Sequence, residues 1–291
     1  MSQTMNRPSW KIPAKDYPDL VKNIHFDKKT DLEIKKILGN SSSAMGYADP
    51  YPLYQSICEY YNQPIAQTFI SNGATDVIDR LMRFLDFDNI YIVEPTFEMV
   101  RVYAEIYGKN ILTSMTNPPE NSLLYYASPN GQSGMLESGG RHDGFKYVII
   151  DEVYTDFCPE HSLVSKRFEN EIVVKSISKS LGAAGLRVGM CFADEIVIQQ
   201  LQNTRSNVVV NSMAVEVVSS LVHTIPDVVE RMNETKELWK QRYECIDTKA
   251  NFVVFPEPNE LTEKFPCREV EGGLRLSLMD KDTWYEFLHQ D

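Results

Sequence analysis

Asp151 and Lys179 have the types and spacing to do chemistry together. Asp151 follows Tyr147-Val148-Ile149-Ile150, so it stands where a buried strand emerges. Read alone it is an edge carboxylate, or the acidic end of a nucleotide-hydrolase strand. The second reading requires a phosphate loop of the form G-x-x-x-x-G-K followed by Ser or Thr, and the chain contains none. Lys179 closes Ser176-Ile177-Ser178-Lys179, directly after another apolar run. Next comes LGAAGLRVG, where Gly182, Gly185 and Gly189 allow close backbone packing and Arg187 supplies a planar fork of donors. A lone lysine after a strand is usually a solvated charge. A lysine grouped with two hydroxyls, close glycines and an arginine suits a phosphorylated aldehyde cofactor held as an imine. Its amine must be partly desolvated or near other cations to be nucleophilic, while the hydroxyls and guanidinium bind phosphate.

Such residues need a scaffold that brings strand ends together. The runs NIYIVEP, LLYYASP, YVIIDE and IVVKSIS are bounded by polar or turn residues and alternate with helical periodicity. They predict an α/β fold: a mostly parallel sheet sandwiched by helices, with its strands buried on both faces and function at their carboxyl ends. A helix is expected over 31–38, stopped by Gly39, followed by the turn-rich loop SSSAMGYADPYP; the stretch from Pro8 to Pro18 reads as an irregular arm. After about residue 203 the pattern changes to a helix over 214–224, a long charged helix over 226–245, and short strands at ANFVVF and GLRLSL. That is a smaller α+β lobe. The division expected is an arm and joining segment over 1–40, a large domain over 41–205 and a small domain over 206–291.

The chain has 291 residues, enough to bury a core without disulfides or metal. With 29 basic and 41 acidic residues its net charge is −12, a balance that disfavours nucleic acid but leaves room for a local positive pocket. No run approaches the ~18 apolar residues of a membrane span, and the start lacks the apolar core of a signal peptide. Five scattered cysteines without C-x-x-C read as reduced thiols of a cytoplasmic protein, and neither they nor the five histidines form a metal cluster.

Taken together, D-E-x-Y followed by S-x-S-K-x-x-x-x-x-G-x-R-x-G resembles the pyridoxal-phosphate aminotransferases of fold type I, classes I and II, nearest in layout to the histidinol-phosphate branch. The likeness runs from Tyr47 to Leu278. It implies that Lys179 holds the cofactor and shuttles a proton, that Asp151 keeps the pyridine nitrogen protonated, and that Tyr154 hydrogen-bonds the phenolic oxygen. Gly73, Ala74 and Thr75 offer amides to the phosphate at a helix start, where a plain N-cap is the alternative; Ser176, Ser178 and Arg187 complete the cup. Phe97 corresponds to the aromatic that stacks on the pyridine, although a phenylalanine after a strand is more often core. Tyr47 corresponds to the tyrosine that reaches a neighbouring subunit's phosphate, which implies a homodimer; its alternative is a loop-packing tyrosine. Arg275, an arginine inside an apolar strand, corresponds to the holder of the substrate carboxylate, and Asn251 lies near the substrate.

The likeness has two departures. Ser128-Pro129-Asn130-Gly131-Gln132-Ser133-Gly134 puts Gly131 where relatives carry the asparagine that contacts the phenolic oxygen. Either Asn130 takes over through a shifted loop, or Tyr154 acts alone. The small lobe is also short, with Arg268 alone near the position of a substrate-phosphate arginine. The expected activity is ping-pong amino transfer from a small amino donor to a 2-oxo acid. The alternatives are decarboxylation of a phosphorylated amino acid and a binding protein without turnover.

Overall fold

A computed structural model describes residues 24–41, 46–137, 142–205 and 210–288. The expected arm at 8–18 and the 205/206 division touch residues outside these. Seven strands form the main sheet: β1 (Thr68–Ser71), β2 (Asn89–Ile92), β3 (Asn110–Ile111), β4 (Ser122–Ala127), β5 (Tyr147–Asp151), β6 (Glu171–Ser176) and β7 (Gly189–Phe192). Their order is β1-β7-β6-β5-β4-β2-β3. β7 runs antiparallel to both of its neighbours and every other pairing is parallel.

The four apolar runs read from sequence are β2, β4, β5 and β6. β4 and β6 are buried at all six positions because helices cover both faces. Alternate residues serve the two sides: Tyr125, Ile149, Val174 and Cys191 join one core cluster, while Leu124, Val148, Ile150 and Val173 join the other. β1 and β7 were not foreseen. Each has only four residues, and β7 begins at Gly189, which sequence reading took as a place of close backbone packing and not as a strand start.

The helices are α1 (Lys28–Gly39), α2 (Tyr51–Tyr61), α3 (Ala74–Phe84), α4 (Met99–Ile106), α5 (Ile177–Ser180), α6 (Glu195–Thr204), α7 (Ser212–Leu221), α8 (Ile225–Arg242), α9 (Glu260–Lys264) and α10 (Lys281–Leu288). α7 and α8 run on as a stretch over Ser212–Arg242 that contains an 18-residue window of mean hydropathy 1.2, long and apolar enough to suit a membrane span. Its apolar side, however, lies in the core through Val217, Val218, Val228, Met232 and Trp239, while Glu230, Glu234 and Glu237 face outward, so it is a core helix.

A second sheet, antiparallel and ordered β8-β10-β9, contains β8 (Phe252–Phe255), β9 (Arg268–Val270) and β10 (Gly273–Ser277). The N-terminal segment joins it through a bridge between Phe26 and Met279. Asp27 then caps α1 and takes a two-pronged ion pair from Arg231 of α8, with oxygens 2.9 and 2.6 Å from the guanidinium.

Candidate active site

Register brings the site together. Gly189 is the Cα partner of Ser71 on one side and of Ser176 on the other, so the ends of β1 and β6 meet over the first residue of β7. A Cβ on Gly189 would fall on the Gly73 carbonyl carbon and the Ala74 nitrogen, so only glycine lets the two turns approach. Gly185, by contrast, has open space around it and makes no close approach.

After β1 the chain turns through Gly73, at φ +87°, into α3. Asp76 holds this turn by accepting from Ser71 Oγ, from the Asn72 amide at 3.3 Å and from Arg80 Nε at 3.1 Å. The Ala74 and Thr75 amides thus open a helix, where donors lack intrahelical acceptors and the dipole favours an anion. The Arg187 guanidinium lies over the same turn: it donates to the Asn72 carbonyl at 3.3 Å and sits 2.5 Å from where a Gly73 Cβ would stand. Across from it, Ser176 caps α5 by accepting from the Ser178 amide at 3.2 Å. Ser178 Oγ is buried and has no hydrogen-bond partner among the described residues. A buried hydroxyl without an acceptor, two helix-start amides and a guanidinium fit a phosphate group.

Lys179 is half-buried on α5, with Nζ 5.7 Å from the centre of the Tyr154 ring. Burial lowers its pKa to about 7; the charges of Arg275 and Arg187 push the same way and Asp151 opposes them. The amine is therefore available uncharged near neutrality. Because its pKa lies below 10.5, the unfolded chain holds a proton between pH 7 and 10.5 that the folded chain lacks, and stability rises with pH across that window. Calorimetry of cofactor-free Lys179→Met is expected to show a higher melting temperature than wild type, by a gap widest below pH 7 and shrinking toward pH 10.5.

Asp151 is buried at the end of β5, accepting from Tyr125 Oη at 2.7 Å and from the Val153 amide at 3.2 Å. Burial pushes its carboxyl up, against the pull of those two bonds. A cationic N–H arriving beside it reverses that balance, so the position fits a protonated pyridine nitrogen. Behind Tyr154, buried Lys175 is held by Asp156 at 2.9 Å and Thr155 Oγ1 at 2.6 Å, which fixes the turn that carries the tyrosine.

Gly131 lies against Tyr154, where a Cβ would come within 3.3 Å of its ring. Of the two candidates left open by sequence, Asn130 is already engaged in holding backbone. Its Nδ2 donates to the Pro95 carbonyl at 2.7 Å and its Oδ1 accepts from the Gln132 amide at 2.8 Å, so it ties the loop together. Phe97 is 40 % exposed and Tyr47 91 % exposed, so neither belongs to the core or packs under a loop. Arg275 is 3 % exposed; it donates to the Gly131 carbonyl at 2.6 Å and lies over the Phe252 ring. Burial lowers its pKa to about 10, leaving it charged at neutrality. Arg268 is its register partner on β9 and pairs with Glu98, next to Phe97, at 3.6 Å. Asn251 is buried, with its amide 3.4 Å from His25 Nδ1. Tyr125, Glu98 and His25 were missed from sequence, since each meets its partner only through the fold. No group of metal-binding side chains occurs among the described residues.

The family model for aminotransferase class I and II matches residues 145–265. The chain is 27 % identical over 275 residues to a histidinol-phosphate aminotransferase of Microcystis aeruginosa, covering 80 % of this chain and 79 % of that one. It is 26 % identical to the one from Brachyspira hyodysenteriae, covering 86 % and 80 %. The solved histidinol-phosphate aminotransferase of Sinorhizobium meliloti in complex with pyridoxal-5'-phosphate superposes with a TM-score of 0.72 at 15 % identity, over 92 % of this chain and 87 % of that one. Its fold is the one described above, and the cradle around Lys179 fits the group that it holds. Over residues 145–265 the chain is similar to the aminotransferases of class I and II, over most of its length it is similar to histidinol-phosphate aminotransferases, and its fold is that of the solved pyridoxal-5'-phosphate complex.

Proposed function

We propose that this enzyme moves an amino group from an amino acid or an amino-alcohol phosphate of the histidinol-phosphate kind to a 2-oxo acid, in two half-reactions at one site. The observation that carries the reading is Lys179, an amine brought to about pKa 7 beside Asp151 and Arg275. When bound, pyridoxal phosphate supplies a reactive aldehyde and a ring that withdraws electrons from the substrate α-carbon.

The remaining work belongs to side chains. Ser178, Ser176, Arg187 and the amides of Ala74 and Thr75 anchor the phosphate, while the Gly73 amide donates to the Ser71 carbonyl at 2.8 Å and holds the turn. Phe97 offers one ring face to the pyridine, and Asp151 holds a proton on its nitrogen. Tyr154 faces the phenolic oxygen without help from a loop asparagine. Arg275 orients the substrate carboxylate, and the uncharged Lys179 Nζ takes the proton from the α-carbon and would pass it to the cofactor side of the new bond. Asn251 supports the substrate side from the small lobe.

Arg268 is assigned to the distal group of the donor. Its ion pair with Glu98 is exposed and worth only about 0–1 kcal/mol, so an incoming phosphate can displace it. Arg268→Ala is expected to raise KM for histidinol phosphate about tenfold, with kcat nearly unchanged and donors lacking phosphate little affected. A steady-state donor panel checks this, and equal losses for all donors would contradict the assignment.

Tyr47, far too exposed to serve its own chain, suits a homodimer in which it reaches the neighbouring site. Sedimentation of wild type and Tyr47→Ala, with cofactor affinity measured for both, tests that arrangement. Five free cysteines suit a reducing cytoplasm and a biosynthetic role.

A further inference from the structure

His25 is a buried titratable group to which the reaction assigns no task. It is 1 % exposed and sits in the extended segment ahead of α1. That segment is fixed on two sides. The Phe26 amide donates to the Leu278 carbonyl at 3.2 Å and its carbonyl accepts from Asp280 at 2.9 Å, while Asp27 is clamped by Arg231. Between these anchors the imidazole lies edge-on to Phe157, at 5.8 Å. On one side its Nδ1 is 3.4 Å from Asn251 Nδ2, at the root of β8. With that amide nitrogen as the donor, Nδ1 accepts and the ring proton belongs on Nε2, which has no hydrogen-bond partner among the described residues. On the other side the residue abuts the turn that follows Lys179. A Cβ on Gly182, at φ +68°, would stand 2.8 Å from the His25 carbonyl and 3.1 Å from Nε2. Burial lowers the imidazole pKa to about 4 against the opposing pull of Asp27, so the ring is neutral at working pH and keeps its acceptor.

We infer that His25 is a positioning residue that clasps the Lys179 turn to Asn251, and so sets the distance between the amine on the large lobe and Arg275 on the small one. β8, which Asn251 leads into, pairs directly with β10 and places Val254 opposite Arg275. A shift of Asn251 is therefore passed to the arginine across one strand pairing. The inference rests on Lys179 being the reactive amine.

Two substitutions separate the clasp from mere filling. His25→Phe keeps the ring volume but has no acceptor. His25→Asn places an oxygen where Nδ1 stands. In His25→Phe, kcat is expected to fall about tenfold with KM for the amino donor within about twofold, because misplacement by a fraction of an ångström acts on the chemical step. In the cofactor-free protein, the pH midpoint for acylation of Lys179, followed by peptide mass spectrometry, should move up by about one unit as the amine gains water. His25→Asn should hold both quantities near wild type. The inference is overturned if His25→Phe leaves kcat and midpoint unchanged, or if a folded His25→Asn is as impaired as His25→Phe. If His25→Phe does not fold, His25→Gln, whose oxygen falls at the Nε2 position, takes its place. There, a kcat well below that of His25→Asn supports the clasp, and equal values overturn it. Failure of wild-type Lys179 to take up cofactor would instead sink the functional reading, whatever His25 does.

Discussion

Lys179→Ala is expected to lower kcat/KM for amino transfer by at least about 10³-fold, which at 1.36 kcal/mol per decade is about 4 kcal/mol of transition-state stabilisation. The size follows from the double duty of one amine, which both holds the cofactor and moves the proton. Lys175, four residues earlier in the same apolar run, cannot substitute. It is buried, and its amine is already engaged by Asp156 at 2.9 Å and Thr155 Oγ1 at 2.6 Å. Steady-state kinetics with circular dichroism in parallel checks the prediction, since the variant should keep its fold. A residual rate within about tenfold of wild type would mean that the amine is elsewhere.

Asp151→Asn is expected to cost on the order of 10²-fold in kcat, with donor KM much less affected. The amide oxygen can still accept from the Val153 amide, and the new NH2 can donate to Tyr125 Oη, so both contacts that fix the carboxylate can persist. What disappears is the negative charge, and with it the reason for the pyridine nitrogen to keep its proton. Because burial raises the pKa of this carboxyl, removing the charge relieves a desolvation penalty and the fold should not suffer. Loss of rate at undiminished melting temperature is the expected pair of observations. If the rate survives, Asp151 is structural.

The sequence made some of this site legible and hid the rest, for physical reasons. Lys179, Ser176, Ser178 and Arg187 lie within one short segment whose chemistry can be read locally, and Asp151 stands at the end of a run that could only be a buried strand. β4, β5 and β6 were legible because a strand covered on both faces leaves an uninterrupted apolar run. β1 and β7 were not, since four residues at a sheet's antiparallel side carry too little pattern. Tyr125 meets Asp151 only through the parallel register of β4 and β5, in which Ala127 faces Asp151. His25 meets Asn251 from the far end of the chain. Asn130 shows the opposite error. Its position beside Gly131 suggested a replacement for the absent asparagine, but its Oδ1 accepts from its own loop's Gln132 amide and its Nδ2 donates to the Pro95 carbonyl of the loop after β2.

The central claim, that Lys179 carries the cofactor in the cup formed by Gly73, Ser178 and Arg187, is tested most directly by trapping the link. Wild-type protein is incubated with pyridoxal phosphate, freed of excess reagent, examined for visible absorbance, reduced with borohydride and digested. A visible band and a pyridoxyl group on Lys179, both absent from Lys179→Ala, are the predicted results. A protein that stays colourless, or a pyridoxyl group found on another lysine, would contradict the account.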